Sequence, residues 1–254
     1  MTLSHDVAGD GPAVVLLHAG VCDRRMWDGQ WDALIEGGHT VVRCDLPGFG
    51  QSPAADRPSD EADDVRDLLD ALGIERAALI GSSYGGAVAL EFAARLPDRV
   101  TSLLLLCSAV PVRHEKSPEF RAVIEREDSL IESGDVAGAV ELMVDTWLGP
   151  EADDAAREAV REMQRRAYEL QLAAAEVDAV EVEFDLAAIK APCLAVSGAH
   201  DLPDFRQIAA GLPAILPNAR HRELPWAGHL PSMERPSAAT ALMLDFLRDP
   251  HKSA

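Results

Sequence analysis

The chain has 254 residues, 48% of them hydrophobic, and its 43 acidic against 23 basic side chains give a net charge of −20. That length fits one α/β domain with a modest insertion and a single substantial core. The negative charge opposes both counterion-release binding to nucleic acid and attraction to anionic membranes, so neither is an expected partner.

In chain order, the N-terminal "MTLSHDVAGDGP" lacks a basic segment followed by an apolar stretch, and no run of about 18 apolar residues follows anywhere. A cytoplasmic protein without a membrane span is expected. Short Val-, Leu- and Ile-rich runs then recur at 13–18, 39–45, 76–81, 100–107, 191–198 and 219–225. Most are continuous rather than alternating, the pattern of strands buried on both faces of a parallel sheet. Helix-like stretches at 27–36, 60–73, 84–95, 204–212 and 236–248 separate them with βαβ spacing, which predicts an α/β fold: a mostly parallel central sheet with helices on both faces. Between Pro111 and Leu186 the rhythm changes to charged, Ala-rich, helical periodicity, broken at "ESGD" (132–135) and "LGP" (148–150). The expected organisation is therefore a core of 1–111 and 187–254 carrying a helical insertion of 112–186. Cys22, Cys44, Cys107 and Cys193 form no C-x-x-C pair and are expected to be reduced packing residues.

The strand-to-helix junction at "GSSYG" fits G-x-S-x-G around Ser83, flanked by Gly81 and Gly85. A serine on so sharp a turn is crowded by any bulky neighbour two residues away, which accounts for the glycines. The helix that begins there offers the Tyr84 N–H and a favourable dipole to a developing oxyanion. Nucleotide binding fits poorly, since neither G-x-G-x-x-G nor a following G-K-[ST] is present. A serine nucleophile needs a base and the base an acid, in the order Ser, Asp or Glu, His. Asp201, in "SGAHD", follows one predicted strand and His229, in "AGHLP", follows the last, at the carboxyl edge where open α/β sheets place their sites.

"LLHAG" (16–20), "DLPGFGQS" (45–52), "GSSYGG" (81–86), "GAHD" (198–201) and "AGHLPSMERP" (227–236) occur in one order. With them the chain resembles the α/β-hydrolase fold family over essentially its whole length. The resemblance implies Ser83 as nucleophile, His229 as base, Asp201 as orienting acid, and an oxyanion hole of two backbone N–H groups. One belongs to Tyr84 and the other to Gly20, with Val21 as the alternative because Ala19 replaces the family's usual glycine. Asp204 and Glu223 compete for the acid role, but Asp204 is expected to cap the helix opening at Phe205. His18 is expected to support the oxyanion loop, and Arg24 and Arg25 to face solvent rather than substrate. His5, His39, His114, His200, His221 and His251 show no metal-ligand spacing, so no metal and no organic cofactor is expected. In the insertion, Met143, Trp147 and Leu148 are candidates, with Val21, for an apolar pocket.

Serine rather than aspartate at the turn argues against dehalogenase and epoxide hydrolase chemistry, which need a carboxylate nucleophile. The resemblance is nearest to the small cofactor-free branch of enol-lactone hydrolases, carboxylesterases and non-haem haloperoxidases. It implies a serine hydrolase acting on a small or medium carboxylic ester or lactone through an acyl-enzyme. Hydrolytic C–C cleavage with the same three residues, and a ligand-binding protein that keeps the scaffold without turnover, are the alternatives.

Overall fold

The computed structural model describes residues 3–251 except 57, 59, 112–114, 176, 178, 179 and 181. Seven strands, β1 (His5–Ala8), β2 (Ala13–Leu17), β3 (Thr40–Cys44), β4 (Ala77–Ser82), β5 (Val100–Leu106), β6 (Cys193–Gly198) and β7 (Ala219–Leu224), form one sheet in the order β1-β3-β2-β4-β5-β6-β7. β1 runs antiparallel to β3, and every other neighbouring pair is parallel. The six predicted strands are present within two residues of their expected ends. β1 is an addition: its four residues, HDVA, carry no apolar run, and the strand lies half-buried at the sheet margin.

The apolar runs are continuous because alternate residues serve opposite layers. Val15, Leu17, Leu79, Leu103 and Leu105 join the core on the side of α2 (Glu61–Ala71) and α3 (Tyr84–Arg95). Val14, Leu16, Ile80, Leu104 and Leu106 join the other side, with α1 (Asp28–Glu36) and α9 (Pro236–Arg248). The sequence reading of a doubly covered, mostly parallel sheet is thus met.

Between β5 and β6 the chain forms α4 (Pro118–Glu132), α5 (Val136–Trp147) and α6 (Asp154–Gln171), packed α4 on α5 and α5 on α6. The breaks expected at 132–135 and 148–150 are the turns between them; residues 112–114, and with them His114, lie outside the described residues. Each helix has a side-chain N-cap. Ser117 Oγ accepts from the Phe120 N–H (3.1 Å), Asp135 Oδ1 from Gly138 (2.9 Å) and Asp153 Oδ1 from Ala156 (2.8 Å). Such caps contribute about 1 kcal/mol each. Buried Val160, Met163, Ala167 and Tyr168 form the inward stripe of α6, at the spacing of one helical face. These apolar faces belong to the same core layer as Val21, Met26 and Phe205, so the three helices sit on the body of the protein.

The remaining helices are α7 (Pro203–Gly211) and the short α8 (Pro231–Glu234). α7 begins one residue earlier than expected and corrects the reading of Asp204. Pro203 takes the first helical position, Leu202 precedes it as N-cap, and no side chain caps the helix. Asp204 lies inside the first turn, buried, where its Oδ1 accepts from the Ser117 N–H (2.8 Å). Its carboxylate therefore ties the entry of α4 to the sheet layer.

Candidate active site

Strand β4 ends in Ser82, and Ser83 turns the chain into α3 with φ 49° and ψ −114°. Left-handed φ is costly for a residue with a Cβ, so the surroundings must hold it. They do: the Ser83 N–H donates to Leu106 O (3.0 Å), and Ser83 O accepts from Gly86 (2.9 Å) and Ala109 (3.0 Å). A Cβ on Gly81 would lie 2.5 Å from Gly85 O, and one on Gly85 would strike the carbonyls of Leu17 and His18. The glycines around Ser83 are thus required by close backbone approach.

The loop after β2 is fastened to the same junction. The Gly85 N–H donates to His18 O (3.0 Å), and the Cys22 N–H closes a turn on Ala19 O (2.9 Å). His18, fully buried, accepts at Nε2 from the Leu46 N–H (2.9 Å), which leaves Nδ1 to donate to Ala19 O (2.8 Å). Burial lowers its pKa, with the bond to Ala19 O partly opposing that, and keeps the ring neutral. His18 supports the 19–22 turn, as expected. A Cβ on Gly20 would stand 3.5 Å from the Tyr84 Cβ, so the two expected N–H donors come from adjacent backbone. The Tyr84 hydroxyl reaches α2 instead, donating to Glu61 Oε1 (2.6 Å).

Asp201 and His229 come from the loops after β6 and β7. Their side chains are buried to 1% and 2% exposure, with His229 Nδ1 2.8 Å from Asp201 Oδ2. Asp201 Oδ1 also accepts from the Leu202 N–H (2.7 Å), fixing the carboxylate. Phe205 and Trp147 pack on the His229 ring at centroid separations of 4.3 and 4.5 Å. Glu234, to which the sequence reading gave no role, clamps the His229 loop from both sides. Its Oε2 accepts from Gly228 (2.7 Å) and its Oε1 from Leu230 (2.9 Å). Burial raises its pKa while those backbone N–H groups oppose the rise. The motif "GHLPSME" carried a signal for it: a carboxylate five residues after the histidine and one helical turn after Leu230.

Glu223 pairs with Arg206 (3.2 Å) on the surface. Arg24 bonds Asp6, Asp45 and Gln51, and Arg25 bonds Asp23, so neither arginine lines the pocket at Ser83. They border a larger, charged cavity of ≈ 470 Å³ that contains none of Ser83, Asp201 and His229. The four cysteines are buried and free. Burial pushes the Cys44 and Cys193 thiols up to about 12, and the Cys22 thiol further, which disfavours thiolate chemistry. Among the described residues, Cys107, Asp201 and His229 form the one trio spaced for a metal, with ligand atoms within 4.8 Å. Their atoms are already engaged: Nδ1 with Oδ2, and Cys107 Sγ toward Gly228 O (3.5 Å), the thiol pKa raised first by burial.

Ser83, Tyr84, Gly20, Val21, Met143, Trp147 and His229 line one cavity of ≈ 310 Å³ roofed by α4–α6. Leu148 does not line it, contrary to expectation. α5 ends at Trp147, and Leu148, its C-cap, is buried in the core instead. Phe120, Ile124, Glu127, Gln164, Tyr168 and Phe205 also line the cavity and were not singled out in the sequence. They are spread over three helices, and nothing local marks their inward direction.

Residues 12–236 match the α/β-hydrolase fold family, and the chain belongs to that family. A protein of Variovorax paradoxus (strain S110), provisionally named carbamate hydrolase RutD, is 30% identical over 97% of this chain and 96% of its own. The 2-hydroxy-6-oxo-6-phenylhexa-2,4-dienoate hydrolase of Comamonas testosteroni is 37% identical over 41% of this chain, a match spanning only 39% of that relative's length. Among solved structures, the enol-lactonase of Burkholderia xenovorans LB400 superposes with TM-score 0.79 at 27% identity, covering 97% of this chain and 96% of that one. No helix among the described residues is long and apolar enough to cross a membrane.

Proposed function

We propose that the protein is a serine hydrolase that cleaves a small or medium carboxylic ester or lactone through an acyl-enzyme. The observation that carries this reading is the buried His229–Asp201 pair sharing one roofed cavity with Ser83 on its strained turn. The Asp201 carboxylate holds the Nδ1 proton, leaving Nε2 of His229 as the base. His229 takes the Ser83 proton as Oγ attacks the carbonyl carbon, and the Tyr84 and Gly20 N–H groups receive the oxyanion. The leaving alkoxide departs with the proton from His229. Water, activated by the same imidazole, then cleaves the acyl-enzyme. Nothing in these steps needs a metal or organic cofactor. Helices α4–α6 act as the cap that selects the acyl group. The full-length likeness to the enol-lactonase supports a lactone, and the full-length likeness to RutD adds a carbamate to the substrates worth testing.

The test is intact-protein mass after a small fluorophosphonate, on the wild type and on Ser83→Ala. One adduct on the wild type alone is expected, with ester turnover falling on the order of 10³-fold or more in the folded variant. Labelling of both proteins, or full turnover by Ser83→Ala, removes Ser83 from the mechanism. The dienoate hydrolase likeness favours a second reading, hydrolytic C–C cleavage by the same residues.

A further inference from the structure

The roofed cavity has an apolar end and a polar end. Phe120 belongs to the apolar end, packed 5.9 Å from Trp147 and 5.5 Å from Phe205, both of which stack on His229. Seven residues further along α4, about 10 Å of helix rise, stands Glu127. There the Tyr168 hydroxyl donates to Glu127 Oε1 (2.7 Å). Burial, then the Glu127 carboxylate, push the Tyr168 pKa up, so the phenol keeps its proton and stays a donor to Glu127. Beside it on α6, Gln164 is only 4% exposed, lines the same cavity, and has its Oε1 buried without a partner among the described residues.

What this end offers a ligand is therefore the Glu127 carboxylate, half-buried in the cavity wall beside a phenol whose proton is spent. No Lys or Arg is among the described residues lining the cavity. The nearest cation packed on a lining residue, Lys116, stacks on the Phe120 ring at 5.8 Å and is not itself part of the lining. A carboxylate bound at this end would face Glu127 with nothing to neutralise it.

We propose that Glu127 forms a subsite for a hydrogen-bond-donating, preferably cationic, group at the far end of the acyl chain, and that the enzyme discriminates against acyl groups that end in an anion. The inference rests on the hydrolase reading.

Three p-nitrophenyl esters of six-carbon acids test it: hexanoate, 6-aminohexanoate and the adipate monoester. The expected order of kcat/KM is ammonium, then methyl, then carboxylate, with on the order of 100-fold between the extremes at low ionic strength. Glu127→Gln is expected to shrink that ratio to within about fivefold, while the exposed Glu125→Gln leaves it unchanged. A carboxylate ester turned over as well as the ammonium ester, or a ratio that Glu127→Gln does not move, overturns the subsite. Calorimetric binding of 6-aminohexanamide, hexanamide and adipamic acid to Ser83→Ala gives the same ranking without chemistry. Absence of all turnover would therefore fail the hydrolase reading, while the binding order separately upholds or overturns the subsite.

Discussion

The carboxyl edge of the sheet and the three helices above it are held in different ways. At the edge, Ser83, the His18 turn and the His229 loop are fixed by backbone hydrogen bonds and by glycines that admit no Cβ. Above it, α4–α6 are held by N-caps, amphipathic stripes and a few ties such as Asp204 to Ser117. The edge leaves almost no freedom of sequence, whereas the roof demands mainly apolar faces of suitable size with a few polar groups such as Glu127 and Tyr168. On the proposed function, chemistry falls to the closely fastened region and choice of substrate to the tolerant one.

The sharpest way to break this comparison is to exchange the two buried aspartates. Asp201→Asn is expected to lower kcat on the order of 10³-fold or more, because the amide cannot hold the correct tautomer of His229. Asp204→Asn, which acts on the attachment of α4, is expected to cost under about tenfold and to act mainly on KM. Steady-state kinetics with p-nitrophenyl esters decides it, and the opposite pattern would move the acid to Asp204.

A smaller effect is expected from Glu234→Gln. The amide accepts from only one of the Gly228 and Leu230 N–H groups and sets a donor against the other. The His229 loop should loosen, lowering kcat about tenfold and stability by about 1–3 kcal/mol. Rate and thermal midpoint measured together check this, and a stability loss with kcat intact would make Glu234 merely structural.

The smallest effect concerns His18, whose folded pKa lies below the ordinary 6.5. Below that value the unfolded chain takes up a proton that the folded protein refuses, so acidification removes stability. Relative to His18→Gln, which cannot titrate, the wild type is expected to lose about 1 kcal/mol between about pH 7.5 and about pH 5.5. Denaturant midpoints at the two pH values measure it, and a constant difference would mean that His18 is not held neutral.

The strands were legible because burial on both faces writes each as an unbroken apolar run, as in "ALIG" and "LLLL". β1 was not, because four half-buried residues at a sheet edge are specified by their pairing with β3 rather than by hydrophobicity. Asp204 was misplaced for a related reason: α7 opens at Pro203, two residues before Phe205, and the partner of the carboxylate lies 87 positions away in sequence. Leu148 failed because it lies at the end of α5, where the chain leaves the helix, and packs into the core rather than the cavity wall.

By itself the sequence determined the sheet, the turn at Ser83 and the candidate acid and base. Each depends on local constraints: a period of burial, a backbone clash that only glycine relieves, or a loop placed at a strand end. Only the tertiary structure decided that Glu234 grips the His229 loop, that Asp204 anchors α4, and that Glu127, Gln164 and Tyr168 meet inside the cavity. The Asp204 and Glu127 arrangements join segments far apart in the chain, where packing and desolvation rather than neighbouring residues set the energy, and the Glu234 grip needs α8 to turn back on the loop just before it.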